Sequence, residues 1–221
     1  MKFSIKQNVL MEHLNYVIRG ISNKNLVPIL NCIKLELNED GLYMLSTDNN
    51  IAIKTLIDRS LILSIDESGS TVVAGRFIYD IINKLPNTVI NIETDESGKL
   101  YIFTENSKFY LNCNDVNEFP EIDLSDTKTP VYINKKVFKN IIRQTAFATS
   151  LQESRPVLTG INFKISGTTL ECTATDSYRL ARKKVEIKSS LENDINIVIP
   201  NRNLNELLKL LNEEDDEIEL H

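Results

Sequence analysis

The chain has 221 residues, with 25 Lys and Arg against 31 Asp and Glu, a net charge of −6 and 42% apolar residues. That is enough for one or two domains with real cores and an ordinary soluble composition; no apolar run nears the roughly 20 residues that span a bilayer, and MKFSIKQNVL lacks the uninterrupted apolar core of a signal peptide. Two histidines argue against a His-based catalytic site or metal centre, and the three scattered cysteines (Cys32, Cys113, Cys172) suit buried thiols in a reducing, cytoplasmic setting.

In chain order, Lys2–Ile5 reads as a short strand and Gln7–Ile21 as a helix, with Val9, Leu10, Leu14, Val17, Ile18 and Ile21 recurring at three and four. Ile29–Leu37, Leu42–Ser46 and Ile51–Ile57 read as strands, with Glu39-Asp40-Gly41 as a tight turn. The pattern restarts at Thr71–Val73. Arg76–Leu85 is a helix with Phe77, Ile78, Ile81, Ile82 and Leu85 inward, ended by Pro86-Asn87. Val89–Ile92, Leu100–Thr104 and Phe109–Asn112 follow as strands. Asn117–Pro130, acidic and carrying two prolines, is the expected linker between domains 1–127 and 128–221. Beyond it come a strand at Val131–Ile133 and a helix over Lys135–Thr149 that buries Val137, Phe138, Ile141, Ile142 and Thr145. Strands in the earlier order, a helix over Asn203–Leu211 and a strand from Glu217 complete the chain. Each repeat is thus a pair of β-α-β-β-β lobes. Helices followed by short-turn strands give an α+β class, helices on one face of antiparallel sheets.

The chain also repeats itself. At an offset of 128, VPILNCIKLELNEDGLYMLSTDNNIAIK from Val27 lies over RPVLTGINFKISGTTLECTATDSYRLAR from Arg155 without a gap. Pro28 meets Pro156, Leu30 meets Leu158, and Thr47-Asp48 meets Thr175-Asp176. Further on, Arg76 meets Arg202 with the register shifted by two. A fixed internal period marks a duplicated domain. The second copy stops at His221 without the counterpart of Lys99–Cys113, so a fragment is expected, with the second domain cut short.

Charge is segregated. Lys135, Lys136, Lys139 and Arg143 share one segment without acids, Arg182-Lys183-Lys184 forms another basic run, and acids gather in Glu118–Asp126 and Glu213–Glu219. A local basic face can bind nucleic acid whatever the net charge. The repeated Thr-Asp pairs suggest a metal, but each Asp follows a strand and precedes a turn. There its carboxylate can accept backbone N–H bonds, so a structural role is expected and no cofactor.

The motifs MKFSI, LVPILNCIKLEL, LSTDNNIAIK, VVAGRFIYDIINKLP, NEFPEI, RPVLTGINF and above all TATDSYRLAR stand in one order across the whole chain. With the duplication they give a chain that resembles the bacterial DNA polymerase III β-subunit family, the sliding clamps. The resemblance implies a non-catalytic subunit of three similar domains, the third missing here. It implies a head-to-tail homodimer whose ring encircles duplex DNA, tethers the replicative polymerase and is opened by a clamp loader. This chain alone is expected to be monomeric.

Residue by residue, the resemblance implies DNA contacts at Lys24 and Arg155, before the Pro-Ile/Val-Leu segments; Arg76, Arg202, Lys135, Lys136, Lys139 and Arg143 are further candidates. The alternative for each is a solvated helix charge. It also implies a pocket for short Gln-Leu-x-Leu-Phe-like peptides of polymerase, loader and repair proteins at Leu158, Thr175, Ser177, Tyr178, Arg179 and Leu180. Some relatives have Gly-His where this chain has Ser177-Tyr178. The alternative for Leu158 and Leu180 is plain core. Phe109 and Leu111 match the subunit interface, or could be core in an isolated domain. A rival reading is a duplicated protein-binding scaffold that never encircles DNA.

Overall fold

The computed structural model describes residues 1–22, 26–124, 129–188, 194–212 and 216–221. The chain divides into two compact units, Met1–Asp123 and Leu124–His221. The first contains β1 (Lys2–Lys6), α1 (Gln7–Val17), β2 (Cys32–Leu37), β3 (Gly41–Thr47), β4 (Ala52–Asp58), β5 (Ile62–Glu67), β6 (Gly69–Ala74), α2 (Gly75–Lys84), β7 (Val89–Thr94), β8 (Lys99–Phe103) and β9 (Lys108–Asn114). The second contains β10 (Val131–Asn134), α3 (Lys135–Thr145), β11 (Gly160–Ser166), β12 (Thr169–Thr175), β13 (Leu180–Glu186), β14 (Ile195–Pro200), α4 (Asn201–Leu210) and β15 (Glu217–Leu220).

In the first unit nine antiparallel strands run β4-β3-β2-β6-β9-β8-β7-β1-β5. Alternation decides which face each residue takes. Ile33, Leu35, Leu42 and Met44 point inward, and α1, with Leu10, Leu14 and Val17 buried, packs on β3 and β4. α2 packs on β2, β6 and β9 through Ile78 and Ile82. In the second unit, β13-β12-β11-β14 form one sheet and β10-β15 another. Phe138, Ile142, Phe163, Leu170 and Cys172 form the centre of its core. Burial pushes the Cys172 thiol up to about 12, so it stays protonated at neutral pH. Cys32 is also buried and Cys113 half-buried, both unpaired.

The duplication extends to the hydrogen bonds. Gln7 N donates to the Thr88 carbonyl at 2.9 Å, and Lys135 N to the Asp216 carbonyl at 2.9 Å. Leu30 N donates to the Val27 carbonyl at 3.1 Å, and Leu158 N to the Arg155 carbonyl at 3.0 Å.

Four expectations are corrected. Both first helices end early: α1 stops at Val17 and α3 at Thr145, each followed by a 3-10 turn (Ile18–Gly20, Ala146–Ala148). Ile29–Asn31, expected as the start of a strand, belongs to the 3-10 turn Pro28–Asn31, because Pro28 fixes a helical φ and brings no N–H to a ladder. β5 was not expected. Among the described residues it pairs only with β1 at the sheet margin, so its Ser, Asp and Glu leave little alternation to read. Phe77, expected inward, is 64% exposed, because the buried stripe of α2 is narrower than the run of apolar residues.

Candidate nucleic-acid interface and partner surfaces

The α3 lysines divide by face. Lys136 and Arg143 are exposed, seven residues apart on one stripe, with exposed Asn140 between them. Lys135 and Lys139, expected to contact DNA, are only 6% and 4% exposed. The Lys135 ammonium pairs with the Asp216 carboxylate and donates to the Asn212 side chain. Lys139 Nζ donates to the carbonyls of Leu211 and Asn212 at 3.3 and 3.4 Å. Both satisfy acceptors just beyond the C-terminal end of α4, where helix carbonyls lack partners. They are thereby withdrawn from a DNA-facing set. In the first unit the counterpart of Lys135 is Gln7, whose Nε2 donates to the Ile82 carbonyl at 2.8 Å near the end of α2.

Arg76 and Arg202 occupy matching positions, both exposed in the first turns of α2 and α4. Arg155 is exposed at the entry to the Pro156–Thr159 3-10 turn. Lys24 lies outside the described residues. Of the run Arg182-Lys183-Lys184 on β13, Arg182 pairs with Glu171 and holds that carboxyl below the usual carboxylate range.

Five of the six residues expected to form a pocket, Thr175, Ser177, Tyr178, Arg179 and Leu180, lie on one hairpin between β12 and β13, and Leu158 lies in the Pro156–Thr159 3-10 turn. Asp176 Oδ1 accepts from Tyr178 N and Arg179 N, each at 3.0 Å, and its Oδ2 accepts from Arg179 Nε at 2.9 Å. Those backbone bonds, from Tyr178 first, hold the Asp176 carboxyl below its ordinary range. Thr175 Oγ1 donates to the Arg179 carbonyl at 2.7 Å. The turn leaves Tyr178 98% exposed and Leu180 largely exposed, so Leu180 is not core; Leu158 is partly buried. The first unit repeats the turn. Asp48 Oδ1 accepts from Asn50 N and Ile51 N, each at 3.0 Å, and Thr47 Oγ1 donates to the Ile51 carbonyl at 2.8 Å. The Thr-Asp pairs therefore build turns. Among the described residues, no group of three or more His, Cys, Asp or Glu is placed to hold a metal.

Ser177 takes φ +79° and its counterpart Asn49 φ +70°. Asn tolerates the left-handed region and Ser does so less well. Ser177→Gly should stabilise the second unit by roughly 0.5–1 kcal/mol, measured as a raised denaturation midpoint; an unchanged midpoint would show that the turn carries no such strain.

Three further exposed apolar residues of the second unit were not singled out from sequence. The Arg179 guanidinium lies over the Phe147 ring at 5.7 Å; Leu151 is 95% exposed, and Val157 is exposed too. Ser150 N donates to the Leu158 carbonyl at 2.8 Å, which ties this stretch together. The available signal was apolar residues out of helical period amid Ser, Gln and Glu.

On β9, residues Lys108–Asn112 pair with β8 on one side, while β6 takes only Cys113 and Asn114 on the other. Among the described residues Lys108–Asn112 thus has an open edge, with Phe109 exposed and Leu111 partly so. On the opposite face of the same strand pair, Lys99 lies over Tyr110 at 5.1 Å and Lys108 over Tyr101 at 4.8 Å.

A duplicated α+β unit, with its helices over antiparallel sheet and the same hairpin at the same place in both copies, is a sliding-clamp fold. The chain belongs to the DNA polymerase III beta subunit family: the model of that family's N-terminal domain matches residues 1–123, and that of its central domain residues 132–221. The beta sliding clamp of Staphylococcus epidermidis is 37% identical over 224 aligned positions, covering all of this chain and 59% of the relative. That of Bacillus subtilis is 34% identical with the same coverage. The crystal structure of the B. subtilis DNA polymerase sliding clamp superposes with a TM-score of 0.95, covering 99% of this chain and 59% of that one. The Helicobacter pylori beta clamp bound to a DNA ligase peptide is 29% identical with a TM-score of 0.85, covering 98% of this chain and 59% of that one. The chain thus spans about 59% of the length of these relatives.

Proposed function

We propose that the protein is the processivity factor of DNA replication, a non-catalytic, ring-shaped clamp. The ring encircles duplex DNA and tethers the replicative polymerase. The observation that carries this is the match to beta sliding clamps along the whole chain. A sliding ring has to hold DNA without reading bases, and attraction to phosphates provides that, since it carries no sequence information. Lys136, Arg143, Arg76, Arg155 and Arg202 are the contacts we assign, with Lys24 retained from the sequence. Assembly is a head-to-tail homodimer through the open β9 edge, with Phe109, Leu111 and the exposed Phe77 covered by the neighbour. The 221-residue chain alone is monomeric in this reading, and its free thiols suit the cytoplasm.

The test is topological. Loaded by a clamp loader onto a nicked circular plasmid, the full-length clamp should stay with the DNA through gel filtration and leave once the circle is cut. Retention that ignores linearisation, or no retention at all, would favour the protein-binding scaffold.

The turn at Thr175–Leu180 is the docking surface for short peptides of polymerase, loader and repair proteins. The peptide-bound H. pylori relative and the exposed apolar side chains support this. Changing both Tyr178→Ala and Leu180→Ala should weaken a Gln-Leu-Asp-Leu-Phe peptide by about tenfold or more. The melting temperature should hold, since both side chains are exposed. Unchanged affinity in a fluorescence-anisotropy titration would reject the assignment.

A further inference from the structure

A cavity of about 870 Å³ runs along the outward faces of β2, β3 and β4, past Lys34, Tyr43, Leu45 and Lys54, and is walled by the strap Val116–Asp123. A second, of about 360 Å³, opens at the Thr47–Ala52 hairpin. The two share the wall Pro120–Asp123, so they form one trough within the first unit. Its combined size suits a short ligand.

Three observations bear on what it takes. First, its hairpin is the repeat counterpart of Thr175–Leu180: Thr47, Asn49, Asn50, Ile51 and Ala52 stand for Thr175, Ser177, Tyr178, Arg179 and Leu180, with the same backbone bonds and the same left-handed residue. Second, the far wall is seated, because Phe119 is buried in a small cluster with Cys32 and Val72. Third, the exposed Lys54 ammonium stands 4.6 Å over the Tyr43 ring, and among the described residues no carboxylate pairs with it, whereas Lys34 pairs with Glu36 at 3.5 Å.

We propose that this trough is a second peptide-accepting groove. It takes a short extended segment with an aliphatic side chain against Ile51 and Ala52 and a carboxylate at Lys54; this rests on reading the Thr175–Leu180 turn as a peptide surface. Replacing Tyr178, Arg179 and Leu180 by Asn50, Ile51 and Ala52 takes the large ring and the cation off the turn, so that Lys34 and Lys54 are the cations of a trough that Glu36, Glu121 and Asp123 also line. The exposed Asn49 side chain offers both a donor and an acceptor to a peptide main chain.

The experiment titrates the isotopically labelled 221-residue chain with capped Gln-Leu-Asp-Leu-Phe and follows backbone amide shifts. Asn49–Ala52 should move saturably with a dissociation constant of roughly 1 mM. Lys54→Glu should weaken that response by about fivefold or more and leave Ser177–Leu180 unaffected, and Tyr178→Ala should do the reverse. If Ser177–Leu180 alone responds, the trough is rejected and the peptide surface stands. If Asn49–Ala52 alone responds, the trough stands and the assignment at Thr175–Leu180 falls. If neither responds, both fall. A first-unit response equally strong in Lys54→Glu also rejects the trough as described.

Discussion

Gly41→Ala should cost the first unit at least about 3 kcal/mol, near the top of what single substitutions do. Gly41 opens β3 at φ +138°, a conformation that L side chains rarely adopt. An added Cβ would also overlap the Ile57 carbonyl oxygen on the neighbouring strand and stand 2.9 Å from Arg59 N. Neither atom can retreat cheaply. Gly41 pairs with Asp58 across the β3–β4 ladder, and Arg59 N donates to the Asp40 carbonyl at 2.9 Å. Relief would unpick the end of the hairpin. Gly98 provides the control, since it takes φ +75° in a turn where an added Cβ meets nothing within 4 Å. Gly98→Ala should cost only about 1 kcal/mol, the backbone contribution by itself. Denaturant unfolding followed through first-unit amides reads both. Equal losses in the two variants would mean that the backbone conformation, and not the clash, sets the cost.

Reversing Lys136 and Arg143 together, by Lys136→Glu and Arg143→Glu, should lower affinity for duplex DNA about tenfold or more at low salt. The dependence of log affinity on log salt should flatten by about 0.9 for each phosphate that is no longer neutralised. Because both side chains are exposed, the melting temperature should stay near that of the parent. Lys139→Met should do the opposite. It removes a buried ammonium and leaves the carbonyls of Leu211 and Asn212 short of a donor, a loss of about 1–3 kcal/mol. The salt slope should hold. If Lys139→Met flattened the slope while Lys136→Glu with Arg143→Glu left it alone, the division of α3 into a structural and a DNA-facing side would be wrong.

These predictions separate what was legible in the chain from what was not. The Asp48 and Asp176 turns could be read from sequence because their bonds are local. A carboxylate reaches N–H groups two and three residues on, and the geometry needs nothing distant. The helices and most strands were legible for the same reason, since the periods of 3.6 and 2 report which face is covered. β5 escaped because a strand paired on one side only needs little apolar alternation. Phe77 misled because an apolar residue beside a buried stripe looks like part of it until the packing of α2 on β9 is known.

By itself, then, the sequence determined that one unit was duplicated, which turns recur and to which family the pattern belongs. Each of these rests on neighbours in the chain or on an offset between copies. Only the tertiary structure decided which basic side chains of α3 are available. Lys135 and Lys139 read as surface charges until Asn212, Asp216 and the carbonyls after α4 arrive more than seventy residues later to receive them. The same holds for the open edge of β9, since whether a strand is paired on both sides is a fact about other strands. Burial of charge and pairing of edges are set by partners distant in sequence, and no local period records them.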